Sequence, residues 1–348
     1  MHARLEGLLL GAAVGDALGL PREGLPPWRA ARWSGGQLVH GWLGRRGMIS
    51  DDTEHAALTV TALVRSGGEP DRFAREVARG LRGWFVALPP ATGWATLRAC
   101  VKLCLGWSPA TSGVRSAGNG PLIRAPAIAL FARDPDHRVA LVRASTRVTH
   151  TDPRAEAAAQ VIAAAAALAA SGAPLGARTL DALAVAEPTI ARVLDGVAGA
   201  LDDPRRLAAL GLERGASGYA PHTLAAVLWA WLRHPGDPGQ AIAAVIALGG
   251  DTDSTAALVG ALAGIRHGAA GLPPAWVDGV WDWPRSIAWL RRLARAATAG
   301  EALPRVPYPL ALARNLVFLS IAVGHGVRHL LPPYGRRPRA TSRPAPGP

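Results

Sequence analysis

Two short acidic runs hold most of the chemistry this chain can do: Ser50-Asp51-Asp52-Thr53-Glu54 and, far downstream, Gly249-Gly250-Asp251-Thr252-Asp253-Ser254. Each has a sufficient local explanation. Ser50 is a good N-cap, and acidic residues in a first helical turn are stabilised by the positive end of the helix dipole. In the second run two flexible glycines lead into oxygen-bearing side chains before an Ala-rich helix resumes. Taken together, Asp51, Asp52, Asp251, Asp253 and the adjoining hydroxyls are the hard oxygen ligands that Mg²⁺ or Mn²⁺ prefers, whereas zinc or iron would more usually use His or Cys. Carboxylates at these four positions suit a pair of ions about 3.5–4 Å apart, one Asp bridging them, provided the fold brings the runs together.

The elements that would carry these runs are helices. Ala-rich stretches such as 155–170 and 241–247, with few β-branched or aromatic runs, favour helix over strand. Apolar periodicity predicts helices at 3–18, 52–66, 70–86, 123–133, 136–147, 153–171, 187–201, 220–234, 237–247, 252–267, 282–298 and 309–329. Both acidic runs therefore fall at helix starts. Breaker-rich loops lie at 21–27, 35–50, 107–121, 150–153, 235–238 and 248–250, and all but the 235–238 loop carry or border the candidate chemistry. No fixed-period repeat or central linker is visible. A single domain over 1–334 is expected, ending in a packed C-terminal helix at about 308–331 and followed by a disordered Pro/Arg-rich tail, 335–348.

With 49% apolar and 18% charged residues the chain suits a compact globular body. The net charge of +13 raises nucleic acid as a partner, but Lys102 is the only lysine and the arginines are scattered, part of them in the terminal segment, which argues against it. Cys100 and Cys104, four apart on one helical face with no His or Cys at zinc-ligand spacing, are expected to be reduced core residues. Asp16 interrupts the apolar run 8–20 and Glu6 precedes it, which counts against a signal peptide and favours the cytoplasm. Arg314, Asn315, His325 and Arg328 likewise count against a membrane span at 310–331. A monomer is expected.

The residues quoted so far resemble the two metal-binding signatures of the ADP-ribosylglycohydrolase family. Three further segments match in order: Gly15-Asp16-Ala17-Leu18-Gly19 followed by Glu23, then Gly118-Asn119-Gly120 through Arg124, then Thr149-His150. The resemblance spans about residues 5–270. It implies an all-α orthogonal multi-helix bundle with two Mg²⁺ ions, Mn²⁺ being an alternative, at the base of an ADP-ribose cleft. By position, Ser50, Asp51 and Asp52 would bind one ion, Asp251 and Ser254 the other, and Asp253 would bridge. Glu23 falls where the family places a carboxylate near the second ion. Gly118, Asn119 and Gly120 would wrap the ribose and phosphates, with Arg124 and His150 at the same substrate.

That resemblance implies a hydrolase acting on an ADP-ribosylated protein side chain, arginine or serine, or on a small ADP-ribosyl compound, with Glu23 or Asp51 as the proton-exchanging catalytic carboxylate. The alternative is a non-catalytic ADP-ribose-binding or structural, crystallin-like member of the same fold. Two departures stand out. Ser50 replaces a common Thr and keeps the hydroxyl; Pro121 follows the Gly-Asn-Gly turn and removes one backbone donor. Leaving-group choice would rest on loops 24–46 and 105–117, where Trp28, Trp33, Trp42 and Trp107 either line an entrance or pack internally.

Overall fold

The computed structural model describes residues 1–32, 37–90 and 92–330. Among them there is no strand, only isolated bridges, and the chain runs through α1 (His2–Gly19), α2 (Pro27–Ala30), α3 (Asp51–Ser66), α4 (Pro70–Phe85) and α5 (Trp94–Cys104). It continues through α6 (Gly120–Phe131), α7 (Pro135–Arg147), α8 (Pro153–Ser171), α9 (Pro188–Asp202) and α10 (Ala220–Arg233). The last third holds α11 (Pro238–Ala247), α12 (Thr252–His267), α13 (Pro274–Gly279), α14 (Ile287–Ala299) and α15 (Tyr308–Leu330). The all-helical expectation is met. Helix starts are marked by Pro in the first turn and by side-chain caps, as at Asp152 for α8 and Asp237 for α11.

The central contact is between α1 and α12. Gly7, Gly11, Gly15 and Gly19 recur every fourth residue and so share one face of α1. A Cβ at these positions would overlap the backbone carbonyl oxygens of Gly264, Gly260, Ala256 and Thr252 respectively. The two helices therefore run antiparallel, backbone against backbone, which only small residues allow. One consequence is functional: the end of α1, with Asp16, lies against the start of α12, with the second acidic run. Around this pair the core is continuous, and Ala-rich α8 is buried along one side through Ala155, Ala158, Ala159, Ile162 and Ala166.

A second, small apolar cluster joins Leu20, Trp42 and Met48 to Phe318 of α15. That helix packs through Ala311, Arg314, Asn315 and Phe318 and exposes Leu316, Leu319, Val323 and Val327 on its other side. Of the polar residues read as arguments against a membrane span, Arg314 and Asn315 are buried and His325 is half-buried against the Trp42 carbonyl, while Arg328 is exposed. By length and composition alone, Tyr308–Arg328 is long and apolar enough to cross a membrane.

Three expectations change. Cys100 is buried but Cys104 is exposed, because the last turn of α5 runs past the edge of the core. Helix α14 starts at Ile287 instead of 282, with Ser286 as its cap accepting from Trp289, which frees Asp282 to face α15. Helix α5, which carries the two cysteines, runs from Trp94, outside every span given by periodicity. The 335–348 tail and Trp33 lie outside the described residues.

Candidate active site

The first acidic run is held from behind by a residue of α1. Asp16, fully buried, accepts from the backbone N–H of Ser50 at 2.9 Å, from that of Thr53 at 3.1 Å and from the Thr53 hydroxyl at 2.5 Å. It thereby satisfies donors that the start of α3 leaves open. Ser50 Oγ accepts from Asp52 N at 3.3 Å, the N-cap bond foreseen from sequence. Just upstream, Ile49 is gripped at both ends: its N–H donates to Asp282 Oδ2 at 3.0 Å, and its carbonyl accepts from Arg314 Nη2.

The second run is fixed by glycine. Gly249 and Gly250 have φ of 73° and 80°, a region costly for any other residue. Gly250 is threaded between two loops: its N–H donates to Leu25 O at 2.8 Å, its carbonyl accepts from Gly24 N at 2.8 Å, and Asp251 N donates to Ala216 O at 2.7 Å. This places Glu23 beside the run. Thr252 Oγ1 ties the start of α12 to Gly19 O at 2.8 Å. Finally, Asp52 and Ser254 line the same cleft, so the two acidic runs converge on one space.

The electrostatics follow from crowding. Asp52 and Asp253 are buried and Asp51 half-buried. Burial, followed by the charges of neighbouring carboxylates, holds all three well above the usual carboxylate range. Asp16 is pushed up to about 6, chiefly by burial, although its hydrogen bonds pull the other way. Glu23, exposed as a residue, has a carboxyl set into the cleft; the protein packed around it, then Asp251 and Asp16, raise it too.

These groups line a cleft of about 650 Å³ whose walls carry Glu23, Asp51, Asp52, Asp251 and Asp253. Among the described residues lining it there is no arginine or lysine. By chemistry the donor set fits a hard divalent cation: the carboxylates raise one another's proton affinity, hydroxyls stand beside them, and no arginine or lysine of the described lining neutralises them. The side chains do not converge as a finished shell, because among the described residues no three of His, Cys, Asp and Glu close on one point. A cation would need some of them to turn inward.

The Gly118-Asn119-Gly120 loop forms the opposite wall. Its glycines matter for proximity: a Cβ on Gly118 would meet His150 Nε2 at 2.9 Å. His150 is buried and driven down to about 3, first by burial and then by Arg124, so it is neutral. The Asn119 side chain turns onto Asp251. Pro121 stands in the first turn of α6, where a backbone N–H has no intrahelical acceptor, so it breaks no helical bond.

The ADP-ribosylglycohydrolase family model matches residues 1–305. The chain belongs to the ADP-ribosylglycohydrolase family. It is similar to the ADP-ribosylarginine hydrolase Tri1 of Pseudomonas putida (strain GB-1), 30% identical over 320 residues that cover 87% of this chain and 79% of the relative. A solved ADP-ribosylglycohydrolase-related protein complex superimposes with a TM-score of 0.61 at 29% identity, covering 90% of this chain and 98% of the other. The protein is a glycosidic-bond hydrolase of this family.

Within this ADP-ribosylglycohydrolase the cleft gathers nearly every residue expected at it: Glu23, Ser50, Asp51, Asp52, Gly118, Asn119, Gly120, His150, Asp251, Asp253 and Ser254. Arg124 is the exception. It is fully buried and donates to Ser145 Oγ at 2.9 Å and Thr149 Oγ1 at 2.8 Å, so it braces the segment beneath His150 and is not among the residues lining the cleft. Of the tryptophans, Trp42 borders the cleft while buried, Trp28 does not line it, and Trp107 lies elsewhere beneath Lys102.

Other cleft residues escaped sequence reasoning. His55 lines the cleft one turn beyond Asp51 on α3, a spacing that could have flagged it, and burial drives it down to about 3. Trp94, Thr96 and Phe318 also line it but belong to no motif.

Proposed function

We propose that this protein removes ADP-ribose from a modified protein side chain by hydrolysing the glycosidic bond, with Mg²⁺ as its cation and Mn²⁺ as a substitute. The observation that carries this reading is the convergence of the two acidic runs on one cleft, with no arginine or lysine among its described lining. Ser50, Asp51 and Asp52 would hold one ion and Asp251 and Ser254 the other, with Asp253 shared. Such ions would ligate ribose hydroxyls and lower the pKa of a bound water.

The chain's own groups have distinct tasks. Cleavage of a ribosyl bond builds positive charge on the sugar ring, which an anionic surrounding stabilises. Glu23, with its raised proton affinity, is suited to hold a proton near neutral pH and deliver it to the leaving group; Asp51 is the other carboxylate placed for proton exchange. The Gly118-Asn119-Gly120 wall offers close backbone approach to the diphosphate. The relative that acts on ADP-ribosylarginine makes arginine the first linkage to assay, and serine the second.

The test is release of ADP-ribose from arginine- and serine-modified proteins after chelation and again after adding Mg²⁺. Release only with Mg²⁺, lost in Asp253→Ala, supports the reading. Full activity in chelator, or in Asp253→Ala with Mg²⁺, overturns it.

A further inference from the structure

We propose that Trp94 is a specificity-determining residue: its exposed indole stacks on the planar guanidinium of an arginine leaving group and selects the arginine linkage over a hydroxyl-linked one. The inference rests on the hydrolase reading above and goes beyond it.

Trp94 opens α5 at the rim of the acidic cleft and is 73% exposed, an unusual setting for the largest apolar side chain. It is not on a free-floating loop. Two residues on, buried Thr96 lies 3.4 Å from where a Gly120 Cβ would stand, which ties this rim to the Gly118-Asn119-Gly120 wall. The preceding loop is anchored by α15, where Asn315 Nδ2 donates to Ala87 O at 2.8 Å and Tyr308 Oη to Val86 O at 3.0 Å. Next to these anchors Leu88 is held at φ 55°, a conformation that costs a β-carbon residue energy and persists only where its surroundings impose it. The ring is thus presented, not stray.

Charge decides which planar group it meets. Five carboxylates line this cleft; with Glu23 holding its proton the other four would offset two divalent cations, and the diphosphate of a bound ADP-ribosyl group then leaves the filled cleft net negative. With no arginine or lysine among the described lining, that charge favours a cationic guest. Tryptophan is the strongest cation–π partner, and guanidinium is the cation that also stacks flat on it. Trp107, at the other end of α5, shows the same chemistry already satisfied: Lys102 Nζ stands 4.7 Å above its ring. A serine leaving group is neutral and non-planar and would gain nothing from the indole.

The experiment compares Trp94→Ala and Trp94→Phe with wild type on ADP-ribosylarginine and ADP-ribosylserine peptides, together with inhibition by free ADP-ribose. Trp94→Ala should lose roughly tenfold in kcat/KM on the arginine substrate, and Trp94→Phe much less. The serine substrate and the ADP-ribose inhibition constant should move less than about twofold. Equal losses on both substrates with weakened ADP-ribose binding would mean that the indole stacks on adenine, and would overturn the proposal; so would no loss on either substrate.

A second readout is independent of turnover. Agmatine added to enzyme saturated with ADP-ribose and Mg²⁺ should shift one indole N–H resonance, the one missing in Trp94→Phe. A shift without hydrolysis would leave the stacking intact and fail the activity reading. Hydrolysis with that resonance unmoved would do the reverse.

Discussion

Asn119 donates its side-chain amide to Asp251 Oδ2 at 2.7 Å and to Thr223 Oγ1 at 3.0 Å. The residue expected to touch substrate therefore spends its side chain orienting a carboxylate of the second acidic run, while its backbone N–H is tied to Gly218 O at 2.9 Å. Partners that orient a metal ligand typically cost 10–100-fold in affinity or activity when removed. Asn119→Ala is expected to raise the Mg²⁺ dissociation constant at least about tenfold. Asn119→Asp should do worse, since it sets a like charge against Asp251. Titration calorimetry with Mg²⁺ checks this; unchanged affinity in both variants would show that Asp251 needs no such support.

A pH prediction follows from the carboxylates. Asp16 and Glu23, raised to about 6 and about 7, and Asp51, Asp52 and Asp253, each raised well above its ordinary value, bind protons more tightly folded than unfolded. Their contribution to stability is complete below their unfolded values and lost as pH rises through the folded values. His55 and His150, lowered from 6.5 to about 3, act oppositely between those two values and fall silent above 6.5. From pH 6.5 to 8 the melting temperature in chelator should therefore fall, and Mg²⁺ should flatten the slope. Asp253→Asn should melt higher than wild type in chelator at pH 8 and lose its response to Mg²⁺. A flat profile in chelator refutes the account.

Much of this site is legible in the sequence. Helix starts rich in Asp and Ser leave a local signature, so Ser50 to Asp52 and Asp251 to Ser254 were legible as a pair. What could not be read was why they meet. That depends on Gly7, Gly11, Gly15 and Gly19 lying against α12, a pairing between distant segments that periodicity within either helix does not encode. Arg124 lies behind the cleft and not in its lining for a related reason: motif position says nothing of whether a side chain faces the cleft or Ser145. Asp16 was visible inside its motif, but its role as the acceptor for the first turn of α3 exists only in three dimensions.

The helix pairing itself can be tested by adding one methyl group. In Gly11→Ala the new Cβ collides with the Gly260 carbonyl oxygen, and backbone has nowhere to yield. Overpacking usually costs about 1–3 kcal/mol, and a clash with backbone belongs at or above the top of that range. Gly83→Ala is the control: it lies within α4, where a Cβ meets nothing within 4 Å, and it should stabilise by about 0.4–1 kcal/mol. Urea unfolding of both variants gives the comparison. Similar midpoints would mean that α1 and α12 can separate without cost.

The last prediction concerns how α15 reaches the first acidic run. Arg314 donates to Asp282 through Nη2 at 2.7 Å and Nε at 3.2 Å, and the same guanidinium holds the Ile49 carbonyl one residue before Ser50. Both charged side chains are buried, at 3% and 1% exposure, so each is tolerable only because of the other. Arg314→Ala strands the Asp282 carboxylate and should cost about 3–5 kcal/mol. Adding Asp282→Asn to it removes the orphan charge and should return part of that loss, a non-additivity that a merely cavity-forming substitution would not show. Function separates a second effect. Without a donor on Ile49 O, Ser50 is less firmly placed, so the double variant should bind Mg²⁺ more weakly than wild type even where it is folded. If the double variant is no more stable than Arg314→Ala, the buried pair is not what fixes α15 to the site.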